Sequence, residues 1–178
     1  MRWQTLFRDL ELELEALYRQ QAVQETREQI RTQLAEISLQ DRLRGNIGNQ
    51  LRFTLAGGHA VQGVLDNCYA QWLLLTSPEG EALIPARAIA AVEGLQPAAG
   101  PPPGPTANRL TLGHALRALA RDRSSVAVHT TGEHFFGMFG QIGSDWAQLR
   151  THLPGQPRTS HAEVTLAHEA LCVVLNKN

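Results

Sequence analysis

The hydrophobic and polar positions of roughly the first 44 residues follow a helical period. Apolar side chains recur every three or four residues and would share one face of a helix: Trp3, Phe7, Leu10, Leu14 and Leu17. A second apolar stripe (Ile30, Leu34, Ile37) is out of phase with the first, so one helix that turns its face and two helices both remain open. We predict helix from residue 3 to about residue 44, with Gly45 as the stop.

In residues 51–95 the hydrophobic pattern changes to a period of two residues. Short alternating apolar runs are separated by turn residues at Gly57–Gly58 and Ser77–Gly80, which predicts about five strands. Residues 96–108 then contain five prolines and two glycines, a composition typical of a semi-extended spacer. Beyond it the pattern predicts a short helix and further strands. The predicted domains are a helical or coiled-coil segment (1–38), two strand-rich segments (39–95 and 110–178) and the linker between them (96–109).

The second strand-rich segment repeats the first. At an offset of 74 residues, Gly63 aligns with Gly137 and Trp72 with Trp146, and after an insertion the register resumes at an offset of 82. Chance similarity between two strand-rich segments is the alternative explanation. We interpret the pattern as an internal duplication of one unit, a helix followed by about five short strands.

Three short motifs carry a resemblance to a known fold: Val61-x-Gly63-x-Leu65, Trp72-Leu73-Leu74-Leu75, and Ile84-Pro85-x-x-Ala88-Ile89-x-x-Val92. Together with the preceding helix, they resemble the Sm-like fold, an N-terminal helix plus a five-stranded bent barrel. The resemblance implies an α+β chain in which a long N-terminal helix is followed by two small five-stranded Sm-like barrels, each preceded by a helix. The whole-chain pattern also resembles small uncharacterised actinobacterial proteins, which adds no mechanism.

The chain departs from the pattern of the RNA-binding members of that family. Those proteins follow the bend glycine with an Asp and, four residues later, an Asn. Here the corresponding stretches, 66–72 and 140–146, are one residue short and carry a Trp near the Asn position. The family's Arg-Gly loop is replaced by Pro85-Ala86-Arg87 and Ala167-His168-Glu169. The resemblance therefore implies the fold better than it implies RNA binding.

Composition restricts the function further. The 178 residues include 17 acids and 16 bases, for a net charge of −1, which excludes a bulk polycation held on nucleic acid by charge alone. No apolar run approaches the 18 residues of a membrane-spanning helix. Two cysteines, Cys68 and Cys172, cannot make a disulfide framework and are expected to be buried thiols. We expect a cytoplasmic, bacterial protein.

Arginine clusters and two tryptophans are the candidates for nucleic-acid contacts. The arginines lie near the predicted capping helices: Arg42, Arg44, Arg52, Arg117, Arg121 and Arg123. Cations near a helix C-terminus also complement the helix dipole, so this pattern has a purely structural explanation. Trp72 and Trp146 could stack on bases, but equivalent core or rim positions explain them as well.

Nothing in the sequence converges on a catalytic or metal site. His129 and His134 could face a metal together with His161 or His168, but strand alternation would place His129 and His134 on opposite faces. No recognised catalytic or phosphate-binding motif is present. We therefore predict no enzyme activity, cofactor, metal or small-molecule substrate.

The sequence favours a non-enzymatic adaptor or scaffold. In this hypothesis the N-terminal helix provides self-association or binds a protein partner, because its apolar stripe is longer than one small barrel can cover. The strand-rich units would pair through their edge strands, with each other or across chains. The alternative is an RNA- or DNA-binding regulatory protein that uses the arginine-bearing faces.

Overall fold

The computed structural model describes residues 16–25, 27–28, 31, 34–151 and 162–176. The chain divides into two compact units, Met1–Ser38 and Leu39–Asn178. In the first unit, residues 16–25, 27–28, 31 and 34–36 are helical, whereas Ile37 and Ser38 are not. The predicted helix therefore does not run on to residue 44. Ser38 belongs to the residue types favoured immediately before a helix, and a separate short helix begins after it.

The second unit contains three helices and ten strands within the described residues. The helices are α1 (Leu39–Arg44), α2 (Pro105–Asn108) and α3 (Leu112–Asp122). The strands are β1 (Gln50–Leu55), β2 (Ala60–Cys68), β3 (Trp72–Ser77), β4 (Gly80–Pro85), β5 (Ile89–Glu93), β6 (Ser125–Thr130), β7 (His134–Ile142), β8 (Trp146–Thr151), β9 (Ala162–Ala167) and β10 (Leu171–Asn176). One 3₁₀ turn, Ala86–Ala88, joins β4 to β5, and another, His168–Ala170, joins β9 to β10.

All ten described strands form one open antiparallel sheet in the order β5-β1-β2-β3-β4-β10-β6-β7-β8-β9. The prediction of two separate closed barrels is therefore wrong. The two halves join through β4 and β10, where Leu83 pairs with Val174 and Ala82 with Leu175. Each strand contains a continuous apolar run, residues 82–85 in β4 and residues 171–175 in β10, the pattern of strands that are covered on both faces. Their hydrogen-bonding edges satisfy each other, so the sheet continues across the halves.

The two hydrophobic cores are interleaved at this junction. Leu83 belongs to the first half of the sequence but packs in the core of the second half, the cluster that contains Leu116 and Val128. Conversely, Cys172 and Val173 on β10 pack in the first core. Each core is therefore completed by a strand from the other half.

Several positions that align between the two halves make similar backbone contacts. The Ala86 N–H donates to the Gln71 carbonyl at 2.8 Å, and the His168 N–H donates to the Asp145 carbonyl at 2.7 Å. A Cβ on Gly63 would lie 2.4 Å from the Thr76 carbonyl oxygen, and one on Gly137 would lie 2.0 Å from that of Arg150. In both halves a neighbouring strand thus approaches too closely for any side chain at the glycine.

The proline-rich stretch between the halves is attached to α1. The Gly100 N–H donates to the Asp41 carbonyl at 2.8 Å, and the Arg44 Nε donates to the Pro101 carbonyl at 2.9 Å. Asn46, which is fully buried, donates to the Gln96 carbonyl and accepts from the Gln96 N–H. These bonds hold the stretch against the end of α1.

Candidate functional site

Helix α3 has one buried face and one exposed face. Leu112, Ala115 and Leu116 are buried, whereas the opposite stripe consists of exposed residues at helical spacing: His114, Arg117, Ala118 and Arg121. A capping box between Thr111 and His114 and a bond from the Leu112 N–H to Gln71 Oε1 at 3.0 Å fix the start of α3. The exposed stripe is therefore held in place by the packing and capping of the helix.

This stripe borders an open cleft of about 1000 Å³, which we call the α3 cleft. Its apolar lining includes Trp72, Ile142 and Trp146, and its basic lining includes Arg117 and Arg121. The cleft is thus an apolar groove with two guanidinium groups on one side. Such a combination suits an amphipathic partner that carries acidic groups.

The two tryptophans have different environments. Trp72 is half-buried, stacks on Tyr69 with ring centroids 4.1 Å apart, and donates from Nε1 to the Leu110 carbonyl at 3.1 Å. Trp146 is 36% exposed, and its indole lies so close to Gly143 that a Cβ there would be 2.3 Å from Nε1. Trp72 is consequently held by its own contacts, whereas Trp146 offers part of its ring to the cleft.

Of the six arginines proposed from sequence, the structure brings Arg117 and Arg121 together in the α3 cleft. Arg44 is half-buried and forms an ion pair with Asp41, so it has a structural role on α1. Arg42 is exposed on α1 and Arg52 is exposed on β1. Arg123 is exposed and adopts a left-handed conformation (φ 55°) at the end of α3. These last three do not line the α3 cleft.

The proposed partner-binding stripe falls mostly outside the described residues. Trp3, Phe7, Leu10 and Leu14 are not among them. Leu17 is helical and 57% exposed.

The expected arrangement of the histidines is wrong. His129 and His134 are direct partners across β6 and β7, with ring centroids 6.0 Å apart, and therefore share one face. Alternation applies only within a strand, and a turn separates these two residues. His59 lies next to this pair, with its ring centroid 4.8 Å from that of His129. The Nε2 atom of His59 lies 3.2 Å from the Thr130 carbonyl oxygen. Among the described residues no group of His, Cys, Asp or Glu is arranged to hold a metal, and His161 lies outside them.

A smaller pocket of about 500 Å³ lies beside the start of α3 and includes His168. His168 is 6% exposed, and its Nε2 has no hydrogen-bond partner in the described part of the chain. Burial lowers the pKa of His168 and Arg87 adds to that effect, whereas Asp145 and a backbone hydrogen bond with Trp146 oppose it. The imidazole is therefore held in its neutral form. The sequence pattern does not indicate this burial, because His168 lies in the turn between β9 and β10, where polar side chains are usually exposed.

Both cysteines are buried, as predicted. Burial raises the pKa of Cys68 to about 11, with opposing effects from Arg44 and Asp41, and burial also raises the pKa of Cys172. The thiols therefore stay protonated near neutral pH, which makes them poor nucleophiles.

No protein-family model, curated protein or solved structure matches this chain. The Sm-like resemblance of the sequence thus stays a prediction. No helix in the described part of the chain is long and apolar enough to cross a membrane.

Proposed function

We propose that this protein is a non-enzymatic scaffold whose copies join head to tail through the edges of the sheet. The observation that carries the proposal is the strand order, because the two outer strands are counterparts of the two strands that already pair inside the chain. Edge strands present unpaired N–H and C=O groups, and they pair readily when nothing covers them.

The internal junction provides the template for this contact. Each half runs from its own fifth strand at one side to its own fourth strand at the other, and β4 meets β10 where the halves join. Among the described residues, β5 pairs with β1 alone and β9 with β8 alone. Within the described residues, the strands with an unpaired edge are therefore a fifth strand and a fourth strand, the same combination that forms β4–β10.

The register of the proposed contact follows from the same comparison. Val92 pairs with Phe53 in the first half, and Val174 pairs with Val128 in the second half. Val92 and Val174 therefore occupy corresponding positions. Leu83 pairs with Leu74 in the first half, and Thr165 pairs with Gln148 in the second half. Leu83 and Thr165 therefore also occupy corresponding positions. Because Leu83 pairs with Val174, Val92 of one copy would lie opposite Thr165 of the next.

The same equivalences support our proposal that the halves are copies of one five-stranded unit. The close approach at Gly63 and Gly137 and the paired loop bonds to Gln71 and Asp145 are shared features. A duplicated unit that already associates edge to edge within a chain has the surfaces needed to repeat that contact between chains. Such a contact is heterologous, because two different surface patches meet.

Lysine substitutions at the edges test the proposal. Thr165→Lys places a charge on β9 and Ala91→Lys places one on β5, at positions that are exposed; edge lysines oppose strand addition. Gln62→Lys, also exposed but on the interior strand β2, is the matched control. Molar mass is measured by light scattering over a range of protein concentrations.

We expect each edge variant to have a lower mean molar mass than wild type and Gln62→Lys at every protein concentration. An equimolar mixture of Thr165→Lys and Ala91→Lys retains one competent edge of each kind, so its mean molar mass should exceed that of either variant alone. A monomeric wild type would refute the proposal. So would edge variants with the wild-type mass, or a mixture whose mass does not exceed that of the separate variants.

A further inference from the structure

The N-terminal segment and the α3 cleft have complementary chemistry. The apolar stripe has the spacing 4-3-4-3, the pattern with which an amphipathic helix enters a groove: Trp3, Phe7, Leu10, Leu14 and Leu17. Four acids lie between residues 9 and 15: Asp9, Glu11, Glu13 and Glu15. At 100° per residue, Glu11 and Glu15 would lie one helical turn apart on the same side of the apolar stripe.

The α3 cleft supplies the opposite features. Its lining includes the apolar side chains of Ile142 and the partly exposed Trp146, and the small side chain of Ala118. Arg117 and Arg121 are exposed one helical turn apart on the same wall. The guanidinium of Arg117 has a long bond of 3.4 Å to the Gly143 carbonyl. None of the described residues that line the cleft is acidic. An acidic helix would thus find cations without having to displace a resident carboxylate.

We propose that the α3 cleft binds the N-terminal segment, residues 3–17, of a second copy of the chain. The apolar stripe enters the cleft beside Trp146. Glu11 and Glu15 pair with Arg117 and Arg121, because each pair is spaced four residues apart on one side of its helix. This contact is separate from the pairing of β5 with β9 and uses none of its residues. Loss of the sheet contact in the edge variants would therefore leave the cleft contact in place, and the crosslink described below reports on the cleft contact alone.

Photo-crosslinking in the full-length chain tests the contact directly. Benzoylphenylalanine is introduced in place of Phe7, and an equimolar mixture with ¹⁵N-labelled wild type distinguishes links between copies from links within one. We expect links between copies that map to residues 110–121 or 140–146. Links confined to one chain, or links that map mainly to another N-terminal segment, would overturn the proposal.

A second experiment exchanges the charges of the cleft and the N-terminal segment. Reversal of the cleft charges (Arg117→Glu with Arg121→Glu) should lower the yield of intermolecular links about tenfold, the scale expected when two exposed ion pairs become repulsive. Adding the reversal on the segment (Glu11→Arg with Glu15→Arg) should restore the yield. Arg42→Glu with Arg52→Glu makes the same charge change outside the cleft and should leave the yield unchanged.

Circular dichroism and thermal melting confirm that each variant folds. An unchanged yield after reversal at the cleft, or no recovery in the exchanged variant, would overturn the assignment. A labelled single-stranded oligonucleotide is titrated in parallel. If it binds wild type, loses affinity on reversal at the cleft and competes with the crosslink, the cleft is a nucleic-acid site and the proposal is wrong.

Discussion

Replacement of Gly137 by alanine tests how closely the strands approach one another. The new Cβ would lie 2.0 Å from the carbonyl oxygen of Arg150 and 2.8 Å from its carbonyl carbon, both backbone atoms of β8. Ordinary contact begins at about 3.4 Å, so β7 and β8 would have to separate locally by about 1.4 Å. Neither atom belongs to a flexible side chain, so the backbone itself must move.

The cost follows from the hydrogen bonds of that ladder. A shift of this size stretches bonds of about 2.9 Å beyond 4 Å, where they no longer contribute. Loss of two such bonds costs about 1–3 kcal/mol, and disturbed packing of Phe139 and Leu149 adds about 1 kcal/mol. We expect Gly137→Ala to lower the free energy of unfolding by about 2–4 kcal/mol. This is a large fraction of the stability of a typical domain.

Urea denaturation followed by circular dichroism measures the effect. Gly63→Ala, with its Cβ 2.4 Å from the Thr76 carbonyl oxygen, should cost somewhat less than Gly137→Ala. Gly132→Ala is the control, because its Cβ would meet nothing within 4 Å and should change stability by less than about 1 kcal/mol. Equal midpoints for Gly137→Ala and Gly132→Ala would refute the reasoning.

Three further predictions use the same unfolding assay or simple labelling. Asn46→Ala should lower the free energy of unfolding by about 2–4 kcal/mol, because the buried Asn46 amide forms hydrogen bonds with Arg42, Asn49 and Gln96 and its removal leaves buried polar groups without partners. A loss below about 1 kcal/mol would contradict this. Because burial lowers the pKa of His168, the unfolded chain binds a proton more readily, so stability should fall as the pH drops below about 6.5. His168→Gln should flatten that decline, and an unchanged slope would count against it. With a pKa of about 11, Cys68 should resist iodoacetamide at pH 8 in the folded state and react in urea, whereas equal rates would show that the site is open.

The sequence predicted the strands well because their signals are local. Alternating residues such as Leu51, Phe53 and Leu55 bury one face of β1, and the turn glycines end the strands where expected. The β4–β10 junction was not predictable in the same way. An apolar run such as Ala82–Ile84 suits a strand inside a closed barrel as well as one in the middle of an open sheet. The neighbour of such a strand is decided by tertiary pairing, which periodicity does not encode.

The α3 cleft was predicted only in part. Arg117 and Arg121 are four residues apart on a predicted helix, so their shared face could be read from spacing. Their approach to Trp146 depends on where β7 and β8 end relative to α3 and on the absence of a side chain at Gly143. The pairing of His129 with His134 likewise required the register of a hairpin, which follows from the turn rather than from alternation within a strand.

The interleaved cores constrain the order of events during synthesis. Cys172 and Val173 complete the hydrophobic core that is formed mainly by β1–β5. These two residues lie on β10, which begins at Leu171, far along the chain from the end of β5 at Glu93. A nascent chain that has emerged only as far as β5 still lacks these two side chains, and its β4 edge stays open until β10 arrives. Domains often fold as they leave the ribosome, N-terminal part first. Here the first half must wait for β10, so a ribosome-bound intermediate with an exposed strand edge is built into the topology.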